Sequence, residues 1–157
     1  VVGRTDERPL NLQIAPGTQF WAQRGGRQGQ TTLGSIPLDL RDEKSVRVTL
    51  ETCCTNLNMP PATAADVMLP VRCPDVRLAQ VLALPQIEAQ PRLAVQAAVW
   101  AIANDPRRFD LRQALRSYPE AGRTPPERSR FADVTLALGA DLLRAAGLDP
   151  HTFRAYR

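Results

Sequence analysis

The chain has 157 residues, of which 43% are hydrophobic, 23% charged and only 5% aromatic, with a net charge of +4. Those proportions exclude an intrinsically disordered chain and fit one domain spanning residues 1–157 with an aliphatic core of Leu, Val, Ile and Ala. No apolar run approaches the ~20 residues of a membrane-crossing helix, so no membrane span is expected.

The first residues, Val1-Val2-Gly3-Arg4, do not read as a signal peptide and look like a mature terminus or an internal cut. Leu10, Leu12 and Ile14 alternate with polar neighbours and predict a strand, which Pro16-Gly17 turns. Thr18 to Ala22 is a second short strand, and the glycine-containing stretch from Arg24 to Gln30 a hairpin loop. That loop is not a phosphate loop, because no Gly-Lys-Ser/Thr follows it. Strand character returns near Leu33 and at Ile36 to Leu40, and Arg41 to Lys44 is a charged turn. The clearest alternation follows. Val46, Val48, Leu50, Thr52 and Cys54 share one face, Arg47, Thr49, Glu51 and Cys53 the other. It assigns Cys54 to the apolar side and Cys53 to the polar side. Thr55 to Pro61 breaks the strand.

From Pro74 the pattern turns helical. Asp75 to Leu84 is a short helix stopped by Pro85, and Arg92 to Asn104 is apolar on nearly every side, hence a buried central helix. Phe109 to Ser117 is a further short helix. Thr124-Pro125-Pro126-Glu127 has the form of a capping box with proline at the first helical position. It opens a long helix with Phe131, Val134, Leu138, Leu142 and Leu143 as its expected core face and Gly147 as its stop. Asp149-Pro150 starts a last helical turn. The fold class expected is α+β: a small antiparallel sheet or partial barrel from residues 8–54, packed on a C-terminal bundle of four to five helices within residues 75–157.

The charge and the reactive residue types limit the chemistry. Almost every basic residue is Arg, Lys44 is the lone lysine, and they are scattered from Arg4 to Arg157. An Arg surface for nucleic acid is the alternative function, and its mark would be steep loss of affinity with salt. The scatter argues for a solvated surface instead, even in the densest cluster, Arg107, Arg108, Arg112 and Arg116, which Asp105 and Asp110 partly offset. Zinc would require Cys53, Cys54, Cys73 and His151 to converge, and no Cys-x-x-Cys spacing exists. No metal, cofactor or catalytic set is therefore expected, and the chain reads as non-enzymatic. In an oxidising compartment Cys53 or Cys54 can pair with Cys73, leaving one thiol over; in a reducing one all three are small apolar side chains.

Gln96 stands out, mid-helix among Leu93, Val95, Ala97, Val99 and Trp100. A buried amide without a partner costs about 1–3 kcal/mol, so Gln96 must have a specific one. Cys54-Thr55-Asn56-Leu57-Asn58-Met59-Pro60-Pro61 after a strand, with Val95-Gln96-Ala97-Ala98-Val99-Trp100 opening a buried helix, resembles the thioester domains of bacterial surface proteins. The resemblance covers residues 45–104; Cys53 stands where an aromatic is usual, and Val95 where Thr is. It implies a thiol at Cys54 and an acyl donor at Gln96, which condense with loss of ammonia, with Trp100 walling the site and Asn56 supporting it. It also implies an interaction module of the extracellular space or cell envelope, whose partner is an unknown protein or surface ligand.

Overall fold

The computed structural model describes residues 2–3, 10–42, 44–71 and 75–157. It is α+β: short antiparallel strands fill the first part, and four α-helices the second. The strands are β1 (Val2–Gly3), β2 (Asn11–Ile14), β3 (Gln19–Ala22), β4 (Gln30–Thr32), β5 (Ile36–Asp39), β6 (Ser45–Val46), β7 (Thr52–Cys54) and β8 (Met68–Pro70). The helices are α1 (Val76–Leu82), α2 (Arg92–Asn104), α3 (Arg108–Arg116) and α4 (Pro125–Ala145). Among the described residues the strands form three antiparallel sheets: β1 with β6, β2 with β5, and a four-stranded sheet in the order β7-β4-β3-β8.

Local chemistry sets the helix limits. The Asp75 side chain accepts from the Arg77 backbone N–H and caps α1. The Thr124 side chain accepts from the Glu127 N–H while the Glu127 carboxylate answers the Thr124 N–H, so the expected capping box opens α4. Asp105, with a left-handed backbone of φ 41°, ends α2 at the predicted residue. Helix α2 is the centre of the molecule, with every residue from Ala94 to Ile102 buried.

Three expectations change. The alternating run of residues 46–54 is two short strands, β6 and β7, and the sheet gains β8 well beyond residue 54. The two faces of β7 are also exchanged: Cys53 is 2% exposed and joins the core, while Cys54 is only half-buried. The alternation itself holds. Arg47, Thr49 and Glu51 are exposed, each between half-buried neighbours, but Cys53, the next alternate position, lies in the helical core.

Helix α4 is turned from its expected orientation as well. Leu142 and Leu143 are buried, but Val134 is 52% and Leu138 37% exposed. The buried face uses Ala132, Thr135, Leu136, Gly139 and Ala140. Small residues let α4 approach α2 closely: a Cβ on Gly139 would lie 2.6 Å from the Tyr156 hydroxyl and 3.3 Å from the Ala94 carbonyl oxygen. The helix pair selects α4's small side over its bulkier apolar side.

Candidate functional site: Cys54 and Gln96 at the sheet edge

Strand β7 is an edge strand, bonded to β4 on one side only. Leu33 N–H donates to the Glu51 carbonyl and Thr55 N–H to the Gly29 carbonyl. Antiparallel pairing alternates, so Thr52 and Cys54 turn their backbone groups outward. In water these would be solvated; beneath a helix they must find protein partners.

Gln96 supplies them. The Cys54 N–H donates to Gln96 Oε1 at 3.0 Å, and Gln96 Nε2 donates to the Cys54 carbonyl at 2.6 Å. One carboxamide thus does what the next strand's backbone would do. Its neighbours on α2 continue the pattern. Arg92 Nη2 donates to the Thr52 carbonyl at 2.9 Å, Asn104 Nδ2 to the Thr55 carbonyl at 2.8 Å, and the Leu57 N–H to Asn104 Oδ1 at 2.6 Å. At about 100° per residue, residues 92, 96 and 104 fall within an arc of about 120° on the helix, the side turned to β7 and the loop after it. Asn104 and Arg92 were missed in the sequence, although polar residues on one side of an apolar helix are the signal that finds them.

The thiols diverge. Cys53 lies in the core among α2 side chains, and burial pushes its thiol up to about 12. Cys54 Sγ points to the other face, where Gln30 sits directly opposite on β4. Gln30 Nε2 lies 3.5 Å and Gln30 Oε1 4.0 Å from Cys54 Sγ, and the Thr52 hydroxyl donates to Gln30 Oε1 at 2.9 Å. The two β7 cysteines are free thiols, while Cys73, with which Cys53 or Cys54 can pair in an oxidising compartment, lies outside the described residues.

The supporting residues divide. Trp100, one turn beyond Gln96, is 3% exposed, with its ring 6.4 Å from that of Tyr118 and its indole N–H buried without an acceptor. Asn56 is brought to the loop base instead of the Cys54–Gln96 pair. Its Oδ1 accepts from the Gly29 N–H at 2.7 Å and its carbonyl from Gln28 Nε2 at 2.6 Å, which holds the Cys54–Pro61 loop against the hairpin before β4. A cavity of about 350 Å³ opens beside this loop, lined by Asn56, Asn58, Met59, Asn104 and Arg107 among others.

His151 is exposed in the short helical turn Pro150–Thr152. Among the described residues, no three His, Cys, Asp or Glu side chains come together as a metal site would require. No described helix is long and apolar enough to cross a membrane. No family model, curated protein or solved structure matches the chain.

Proposed function

We propose that this protein is a non-enzymatic interaction module of the extracellular space or cell envelope, built on the thioester-domain plan, with Cys54 and Gln96 as its covalent pair. The observation that carries the reading is the two-point contact between the Gln96 carboxamide and the Cys54 backbone, across 42 positions of sequence. It sets the Gln96 carboxamide against the backbone of the residue that bears the thiol, which supports the reading.

The chemistry follows from those atoms. The Cys54 thiol gives up its proton and adds to Gln96 Cδ, forming the S–C bond. The tetrahedral adduct expels the nitrogen, which leaves as ammonia with that proton. The Cys54 N–H already donates to Oε1, where negative charge gathers in the adduct, and so acts as an oxyanion donor. Condensation asks the thiol to turn from Gln30 toward Gln96, and the near-complete burial of Gln96, 7% exposed, keeps water from the ester. A ligand amine would then attack the same carbon, forming an amide and returning the thiol. The Asn56–Met59 loop and its cavity are the surface such a ligand meets.

The intact mass of untreated, non-reduced protein tests this. The expected result is a mass short by one ammonia, converted by methylamine to an adduct, with full mass and no adduct in Cys54→Ala. A full mass in freshly prepared wild-type protein would overturn the thioester. So would a mass short by two hydrogens and recovered by reductant, which identifies a disulfide.

A further inference from the structure

Between the last turn of α3 and the first turns of α4 lies a cavity of about 460 Å³ that shares no residue with the Cys54–Gln96 pair. Its polar lining is Gln113, Arg116, Ser117, Arg123, Arg128 and Ser129: three guanidinium groups, two hydroxyls, a carboxamide and no carboxylate. Most folded proteins answer clustered arginines with acids, and this one does so next door. Arg112 pairs with Asp133 at 2.9 Å, Arg144 with Asp141 at 2.6 Å and Arg154 with Asp105 at 3.0 Å. Among the described residues, Arg116, Arg123 and Arg128 have no such partner.

What holds them is neutral. Arg116 Nη2 donates to the Ser129 hydroxyl, and Arg128 Nε donates to the Gly122 carbonyl at 3.0 Å. Arg116 Nε is buried with no acceptor at all. Glu127, adjacent to Arg128 in the sequence, turns its carboxylate to the backbone N–H groups of Arg123 and Thr124, each at 3.0 Å. Those bonds hold it well below the usual carboxylate range, so it stays an anion committed to the helix cap. The guanidinium forks of Arg116 and Arg128 are thus oriented while the charges of all three arginines are left without an acid, and three like charges around one concavity favour an anion inside it. The first turn of α4 adds the positive end of its dipole; the C-terminal end of α3 opposes it, and Arg116 offsets that end.

We propose that this cavity binds the phosphate monoester or pyrophosphate group of a small soluble ligand. The donor count selects the class. Three guanidinium forks and two hydroxyls exceed what the two oxygens of a carboxylate accept and suit the three-oxygen face of a phosphate dianion. The volume lies within the ~300–1,000 Å³ of small-molecule sites and leaves room for an organic remainder. A nucleic-acid backbone would need a continuous track of such groups, whereas Arg27, Arg41, Arg77, Arg112, Arg144 and Arg154 each face an acid.

The test titrates the full chain with pyrophosphate and with glucose 6-phosphate, by calorimetry and thermal melting, against sodium chloride at matched ionic strength. Saturable one-to-one binding of at least one probe is expected, with a rise in Tm that chloride does not give. Arg123→Gln, at an exposed position, should melt like wild type without ligand and bind about tenfold more weakly; Arg128→Gln should weaken binding similarly. Arg47→Gln, on the exposed side of the sheet region, should bind as wild type does. Equal responses to phosphate probes and chloride, or unchanged affinity in Arg123→Gln, would overturn the site. So would tight binding of a single-stranded oligonucleotide that survives both cavity substitutions, which would return the arginines to a diffuse nucleic-acid surface.

Discussion

The four-stranded sheet closes its two edges in opposite ways. At β7 the outward backbone groups are bonded by side chains of one helix, Arg92, Gln96 and Asn104, each reaching 40 or more positions back in sequence. At β8 nothing described covers the edge. Gln23 N–H donates to the Val67 carbonyl and Val71 N–H to the Gln19 carbonyl, so residues 67, 69 and 71 bond inward to β3 and residues 68 and 70 turn outward. Residue 70 is proline, which has no N–H to offer a neighbouring chain. One edge is satisfied by addition and the other blunted by subtraction. The first couples sheet to helix through the backbone of Cys54; the second couples to nothing described, and Trp21 and Leu69 remain 52% and 48% exposed beside it.

If the β7 edge depends on its side-chain partners, removing the central one should have the largest effect. Gln96→Ala leaves the Cys54 N–H and carbonyl without partners in a site that is nearly dry, and alanine is a better helix former, so α2 itself does not suffer. A loss of about 3 kcal/mol is expected in urea unfolding, with the helical circular dichroism of the folded protein unchanged. A loss below about 0.5 kcal/mol would mean water already serves that edge.

The buried thiol on the same strand gives an effect of similar kind at high pH. Burial raises the Cys53 thiol from 9.0 to about 12, so the folded protein holds its proton more tightly than the unfolded chain does. Stability from this source is complete below pH 9.0 and falls as pH climbs toward 12. By pH ~10.5 the loss is about 2 kcal/mol. Tyr156 is raised by burial too and adds to the fall above its ordinary 10.0. Cys53→Ala will lower stability at neutral pH by its lost packing, but its slope between pH ~8 and ~10 should be flatter than wild type. An unchanged slope would place the alkaline loss elsewhere.

Asn104 sharpens the comparison, because it makes the same bracket as Gln96 in a wetter place, beside the 350 Å³ cavity. Water can replace its amide there, so Asn104→Ala should cost about 1 kcal/mol, clearly less than Gln96→Ala. Equal costs would show that burial is not what separates the two.

What was legible in the sequence follows the range of the forces involved. The bounds of α2 and the α4 capping box rest on contacts within a few residues, and both are readable from Pro91, Asp105-Pro106 and Thr124-x-x-Glu127 alone. Gln96 was legible because burying an amide demands a partner, and the backbone N–H and carbonyl of Cys54 are that partner. The face of β7 was not. Period-two alternation tells which residues share a side, whereas α2 decides which side is inside, and α2 lies some forty residues on. Likewise α4 hides Gly139 and Ala140 and leaves Val134 outside, because close approach to α2 outweighs the size of any one apolar side chain. Strand β8 has three residues and a proline, too little pattern to announce a strand without the register of β3 beside it.

The smallest effect on stability, and the one that probes the bare edge, is expected from Pro70→Val. Valine suits an extended backbone and would add one outward N–H between the outward carbonyls of residues 68 and 70, so the change within the fold should stay within about 0.5 kcal/mol. What it changes is the edge as a template. Met68 already turns an N–H and a carbonyl outward; with residue 70 matching it, the strand offers a second copy two consecutive donor–acceptor pairs, bordered by the exposed Trp21 and Leu69. Sedimentation velocity should then show concentration-dependent association in Pro70→Val that wild type lacks. If the variant sediments as wild type does, the missing donor is not what guards this edge. The protection would then lie in the strand's length of three residues, too short to repay the entropy of ordering a partner chain.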